Sequence, residues 1–200
     1  GAVYNPLHAI SEIVASLHKK DGSVNIPGFY KNITKIEKWE ENELSKYPLS
    51  TEEYKSALKV NGFCYPRKKN PFEAVRFEPT LEINGLGGGY QGIGTKTIIP
   101  SEAFAKLTCR VVAGQNAKEI QSLVIDAIKN RCPKEVRLEI NKGCAADAYL
   151  INPSSKNLTN DRLSKKNRIV FLEAEKAINS HFGIPPLFIR EGGSIPIISD

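Results

Sequence analysis

The 200-residue chain contains no methionine, not even at position 1. A start residue is therefore missing, and the expectation is an excised fragment or a processed chain whose true termini and targeting lie elsewhere. Cysteine is scarce and scattered. Cys64, Cys109, Cys132 and Cys144 form no C-x-x-C pair, which excludes ribbon-type zinc sites and favours a reduced, cytoplasmic chain over a disulfide scaffold. Cys109 falls in a strand pattern, where a small buried thiol is expected. Only three histidines occur, His8, His18 and His181, and no H-x-D or H-x-x-E-H cluster sets two ligands side by side. No metal ligand and no catalytic residue is therefore assigned within this chain. No apolar run approaches the roughly 20 residues of a membrane span, and no basic, apolar and cleavage regions of a signal peptide open the chain.

The formal charge of +6 admits a nucleic acid or an acidic substrate as partner. The basic residues are dispersed, however. The densest groups, Arg67-Lys68-Lys69 and Lys165-Lys166-Asn167-Arg168, are short enough to be solvated faces. The adjacent acids Glu40-Glu41 and Glu52-Glu53 lie in polar helical stretches, where helix-face solvation or capping accounts for them.

A helix is predicted over about 7–20. Asn5 can cap it, Pro6 suits its first position, Leu7, Ile10, Val14 and Leu17 form its apolar stripe, and Gly22 stops it. Residues 21–76 are polar and irregular, with short helical stretches at 36–47 and after Ser50, where Ser50 and Glu53 make a capping box. This stretch is expected to be an insertion. Alternating patterns then predict strands at 79–84 (Leu81, Ile83), 103–112 (Ala105, Leu107, Cys109, Val111) and 135–140 (Val136, Leu138, Ile140). Between the last two lies a helix over 117–131, capped by Asn116 with Glu119 and striped by Ile120, Leu123, Val124, Ala127 and Ile128. With one further strand at or just before residue 1, the order is the β-α-β-β-α-β plan of a ferredoxin-like α+β sandwich, its helices on one face of an antiparallel sheet. Residues 152–167, rich in Asn, Ser and Lys, are expected to be a linker. Beyond it, 168–200 holds a helix over 169–182 and a short strand at 187–190, in a segment of a different domain.

Two separated stretches look like anion-binding parts of a larger site. In the first, Gly87-Gly88-Gly89-Tyr90-Gln91-Gly92 matches G-x-G-x-x-G, but the β-branched run that follows offers no helix N-terminus to a pyrophosphate. Gly94-Thr95-Lys96-Thr97 similarly departs from a phosphate loop, since Thr95 stands where glycine is required. A plain hairpin connection is the competing account. The glycines expose backbone N–H groups, Thr97 adds a hydroxyl, and Arg110, on the polar side of its strand, offers a fork suited to a carboxylate. In the second stretch Gly192-Gly193 lets a ligand approach the backbone and Ser194 adds a donor. The competing accounts are a surface salt bridge for Arg110 and a tight turn for the glycines.

The runs Pro79 to Gly88, Gly92-x-Gly94-x-Lys96-Thr97-Ile98-Ile99-Pro100, Ala105-Lys106-x-x-x-Arg110-Val111-Val112 and Arg190-Glu191-Gly192-Gly193-Ser194-Ile195-Pro196 together resemble the carnosinase-like branch of the two-zinc metallo-exopeptidases, which includes the cytosolic nonspecific dipeptidases. The resemblance covers nearly the whole chain in collinear order. It implies that residues 1–151 are a lid and dimerisation domain inserted into a catalytic domain, and that 168–200 return to that domain. It further implies substrate contacts from Thr97, Arg110 and Ser194, with Gly192 and Gly193 as supporting backbone. The parent is implied to be a cytoplasmic homodimer that hydrolyses short peptides with two divalent metal ions, zinc or manganese. The family's metal ligands and catalytic Glu match nothing in this chain, so the chain alone is expected to be inactive and to bind no metal.

Two other classes compete. An RNA-binding sandwich should present aromatics on its sheet face, whereas these strands present Thr80, Glu82, Lys106, Thr108, Glu135 and Arg137, with Phe104 alone. A purely structural dimerisation module would make Thr97, Arg110 and Ser194 replaceable. Neither nucleic acid nor membrane is an expected partner.

Overall fold

A computed structural model describes residues 1–151, 153 and 162–191, leaving aside the side chains of 162–165 and 167. Helix α1 (Pro6–Ser16) begins as the sequence predicts, with the Asn5 side chain accepting from Leu7 N at 2.9 Å. It stops at Leu17, earlier than the predicted Lys20. The cause is the turn at Asp21, whose carboxylate accepts from the backbone N and hydroxyl of Ser23. That turn folds the chain back so that His18 bridges to Val24 and Asn25 N reaches Leu17 O at 2.7 Å. A one-turn longer helix would lose these bonds. The reversal also carries Val24, Ile26 and Phe29, which belong to the stretch read as an insertion, into the core.

Strands β1 (Thr80–Gly88) and β2 (Ala103–Arg110) pair antiparallel, with Leu81 opposite Cys109 and Ile83 opposite Leu107. A bulge between Ile83 and Gly85 shifts the register, and Leu86 then faces Ala105. Helix α1 contributes Ile13 and Leu17, and a later helix contributes Ile120, Val124 and Ile128, to one core over the Leu81 and Leu107 side of this sheet. Phe29, Leu17 and Leu81 are wholly enclosed there. Buried Gln115 ties the layers: its Nε2 donates to Phe29 O at 2.7 Å and its Oε1 accepts from Val112 N at 3.2 Å.

The residues between, 35–79, carry α2 (Lys38–Ser45), α3 (Thr51–Leu58), a 3-10 turn at Pro66–Lys68 and α4 (Pro71–Phe77). The Ser50–Glu53 capping box of α3 forms reciprocally, as the sequence predicts. Helix α4 is an addition to the sequence expectation, although its signals are present: Asn70 accepts from Glu73 N at 2.9 Å and Pro71 takes the first position. Tyr47 and Tyr54 pack on Phe72 at ring distances of 5.0 and 5.1 Å, giving this region a small aromatic core of its own.

Helix α5 (Ala117–Arg131) matches its predicted span, with Asn116 accepting from Glu119 N and Asp147 accepting from Ala117 N at 2.6 Å. Arg131 joins it to α1, donating to Ser16 O at 2.9 Å and to Asn25 O. The strand predicted at 135–140 does not form a ladder. Leu138 and Ile140 pack against the core while Arg137 and Glu139 stay exposed, so the two-residue period chose the faces correctly. A strand also needs a hydrogen-bonding neighbour, and no described segment pairs with this one. Helix α6 (Arg162–Phe182) starts inside the stretch predicted as linker. The strand predicted at 187–190 does not form: these residues have no regular secondary structure and pair with no strand among the described residues. Cys109 is exposed, not buried as the strand pattern suggested, because it lies on the edge strand near the end of the sheet.

Candidate substrate-binding site

The β1–β2 hairpin positions both candidate residues of the first stretch. On its outer face Thr80 opposes Arg110, Glu82 opposes Thr108, Gly85 opposes Lys106 and Gly87 opposes Phe104. The absence of side chains at Gly85 and Gly87 is what lets their partners lie flat. A Cβ at Gly87 would stand 2.6 Å from Phe104 Cζ, inside contact distance. Lys106 Nζ in turn sits 5.8 Å from the Phe104 ring centre. Thr108 Oγ1 donates to Asn84 Oδ1 at 2.7 Å across the bulge, and Arg110 ends the strand on the exposed side.

The connection 89–102 is an exposed loop without regular structure that runs directly into β2. A helix N-terminus that could receive a pyrophosphate is absent from its end, so the G-x-G-x-x-G match is a turn feature here. Gln91 Nε2 donates to Gly88 O at 2.7 Å, Tyr90 OH donates to Ile93 O at 3.3 Å, and Lys96 Nζ lies 5.7 Å from the Tyr90 ring centre. Thr97 is exposed beyond these ties, and Ile93 is fully exposed, with no cover from the described residues.

Thr97 and Arg110 are carried by opposite ends of the hairpin. The loop that carries Thr97 is rooted at the Gly88–Ala103 end of the hairpin, whereas Arg110 pairs with Thr80 at the other end. Seven residue steps of about 3.3 Å put roughly 23 Å between Arg110 and that root. Gly192, Gly193 and Ser194 lie outside the described residues.

The approach to them contains residues that the sequence pattern did not mark as a pair. Glu40, expected as a solvated or capping helix residue, does cap α2, its Oε2 accepting from Glu37 N at 2.9 Å, yet it is buried, and its Oε1 accepts from Arg190 Nε at 2.6 Å. Only the fold joins positions 150 residues apart. His18 Nε2 lies 2.8 Å from Leu81 O, a contact that ties the end of α1 to β1. Among the described residues no group of three His, Cys, Asp or Glu side chains could hold a metal ion, and no helix is long and apolar enough to cross a membrane.

These features have a match among known families. The model of the peptidase dimerisation domain, M20_dimer, fits residues 1–136, a span that includes the whole hairpin. The chain belongs to the M20 peptidase dimerisation family. This M20 dimerisation domain is similar to human Beta-Ala-His dipeptidase, 26% identical over 197 residues that make up 98% of this chain and 37% of that protein. It is likewise similar to the Cys-Gly metallodipeptidase of Schizosaccharomyces pombe, 25% identical over 98% of this chain and 39% of that protein. The chain thus spans less than two fifths of the length of these relatives. Among solved structures, human carnosine dipeptidase 1 shares the fold with a TM-score of 0.73 at 24% identity, over 99% of this chain and 40% of that one. The Saccharomyces cerevisiae dipeptidase Dug1p aligns with a TM-score of 0.71 at 25% identity, over 98% of this chain and 39% of that one.

Proposed function

We propose that this chain is the homodimerising, substrate-gripping lid of a metal-dependent dipeptidase or related exopeptidase acting on short peptides in the cytoplasm. The observation that carries the reading is the family match across residues 1–136, which embraces both Thr97 and Arg110, joined to relatives whose names are dipeptidases. In this reading Arg110 and Ser194 hold the substrate's terminal carboxylate and Thr97 a neighbouring polar atom, with Gly192 and Gly193 letting the ligand approach the backbone. Two divalent ions, zinc or manganese, held by the remainder of the protein, supply Lewis-acid polarisation and an activated water. The chain's own task is orientation, and alone it is inactive.

The distance between the Thr97 loop root and Arg110 fits a pocket assembled from two subunits, Arg110 from one chain and Thr97 from its partner. The test is hydrolysis of a dipeptide panel with added Mn²⁺ or Zn²⁺ by the full-length protein, with the 200-residue chain as control. Activity in the full-length protein only, together with a fall in kcat/KM on free-carboxylate dipeptides in Arg110→Ala, is the expected result. Full activity in Arg110→Ala would sink the carboxylate clamp. Inactivity in a folded, metal-loaded full-length protein would favour a purely structural dimerisation module.

A further inference from the structure

Asparagine followed by glycine occurs twice in the chain, at Asn61-Gly62 and at Asn84-Gly85. In such a pair the backbone N of the glycine can attack the asparagine Cγ, and glycine has no side chain to hinder the approach. The fold holds the two pairs differently. Asn84 and Gly85 lie in β1 at the bulge, with Gly85 opposite Lys106. Asn84 Oδ1 accepts from Thr108 Oγ1 at 2.7 Å, and the Lys106 side chain covers Gly85, where a Cβ would meet Lys106 Cδ at 3.4 Å. Asn61 and Gly62 lie in the connection from α3 to the 3-10 turn, and both are exposed. Among the described residues neither makes a hydrogen bond, and a Cβ at Gly62 would meet nothing within 4 Å. Helix α3 is already closed before them: Lys59 takes the left-handed region at φ +55°, and Val60 N returns to Lys55 O at 3.3 Å. No helical bond therefore restrains rotation about Asn61.

Exposure does not separate the two pairs, for Asn84 is exposed as well. Freedom to rotate does. Ring closure needs the glycine N to swing against Cγ of the residue before it, a geometry that a strand held in a ladder reaches only after opening. We propose that Asn61 is a site of spontaneous deamidation, selected over Asn84 by the open connection that follows α3. Gly62 N bonds to Cγ and gives its proton to water, the Cγ–Nδ2 bond breaks, ammonia leaves, and a five-membered succinimide remains. Water then opens the ring. Opening at the Cγ carbonyl yields aspartate, and opening at the main-chain carbonyl of residue 61 yields isoaspartate, so one water is taken up and one ammonia released. Both products add a carboxylate two residues from Lys59. Isoaspartate also routes the chain through its Cβ, which lengthens the main chain by one carbon just before Phe63, whose ring stacks on Tyr54 at 5.4 Å. Tyr54 packs in turn on Phe72, so the change bears on the small aromatic core of residues 35–79.

The experiment ages the full-length protein in warm, mildly alkaline buffer and follows Asn61 and Asn84 by peptide mass spectrometry, reading the gain of one mass unit at each and separating aspartate from isoaspartate by electron-transfer fragmentation. Asn61 is expected to convert at least about tenfold faster than Asn84, because Asn84 reacts only from the opened hairpin. In concentrated urea, where the hairpin is lost, the two rates should converge. Gly62→Ala meets no neighbouring atom and needs no left-handed backbone, so it should keep Tm and slow the conversion of Asn61 severalfold. Asn61→Gln should remove the gain from its peptide and leave that of Asn84 unchanged. Equal rates at Asn61 and Asn84 in the folded protein overturn the proposal, and so does an unmodified Asn61 in folded protein whose urea-unfolded form converts. The wild-type ratio needs no substitution, so the test stands even where a variant fails to fold.

Discussion

Gly114 sits where no other residue fits. Its φ is +92°, and a Cβ built there would stand 2.2 Å from Asn32 O, a backbone atom that cannot step aside without breaking the Thr34 N to Ala113 O bond of 2.8 Å. Gly114→Ala is expected to cost about 2 kcal/mol or more, read as a drop in Tm of the 200-residue chain. Cys109 supports a second expectation at this scale. It retains an exposed edge, yet desolvation pushes its thiol up to about 11 from the ordinary value of 9.0. The folded-state value is raised, so the stabilising contribution of the neutral thiol is complete below about pH 9 and is lost as pH rises toward 11. Alkylation of Cys109 by iodoacetamide at pH 8 should accordingly be slower than that of a free cysteine in a short peptide, and unfolding should abolish the difference. Of the candidate residues, Arg110 was legible as the polar side of an alternating strand. Glu40 and Arg190 were not legible as partners, because a local pattern carries no information about a contact between α2 and residue 190.

Caps and periods were the most readable features among the elements. Asn5, Ser50 and Asn116 all cap the helices their sequence contexts assign to them. The Glu53 carboxyl is held below its ordinary value of 4.5, first by the Ser50 hydroxyl and then by the Ser50 backbone N–H. The sign follows: the cap's contribution is present above about pH 4.5 and disappears as pH falls through the lowered folded-state value. Hydrogen exchange of the first-turn amides of α3 should therefore stay constant from pH 7 to 5, after correction for intrinsic rates, and accelerate below 4, and Glu53→Gln should remove that acid step. Residues 135–140 show the limit of such local reading. Their alternation places Leu138 and Ile140 inward, but a β-ladder is a property of two segments, and no described segment pairs with this one. The early end of α1 is the same lesson in reverse, since the Asp21 turn and the His18–Val24 bridge compete with another helical turn and win.

At the scale of the whole molecule, the hairpin's geometry yields a test of assembly. If each pocket takes Arg110 from one chain and Thr97 from its partner, full-length Thr97→Ala and Arg110→Ala proteins should each be weak alone. After unfolding and refolding together, half of the dimers are mixed and each mixed dimer has one intact pocket, so activity should recover to about a quarter of wild type. Failure to recover, with mixed dimers shown by mass spectrometry, would place both residues in one chain's pocket.

The sequence by itself determined the helix caps, the apolar face of α5, the pairing of two strands on the sandwich plan, and the motifs that resemble the dipeptidase family, whereas in α1 the buried residues are Ala9 and Ile13, outside the predicted Leu7, Ile10, Val14 stripe. The features it determined depend on neighbours within a few residues, where side-chain period and backbone hydrogen bonding act directly. Only the tertiary structure decided that α1 gives way to a turn, that residues 24–29 enter the core, that 135–140 lacks a ladder, and that Arg190 is seated on Glu40. Each of those outcomes turns on a contact between distant segments, whose free energy exists only after the chain has closed the loop between them.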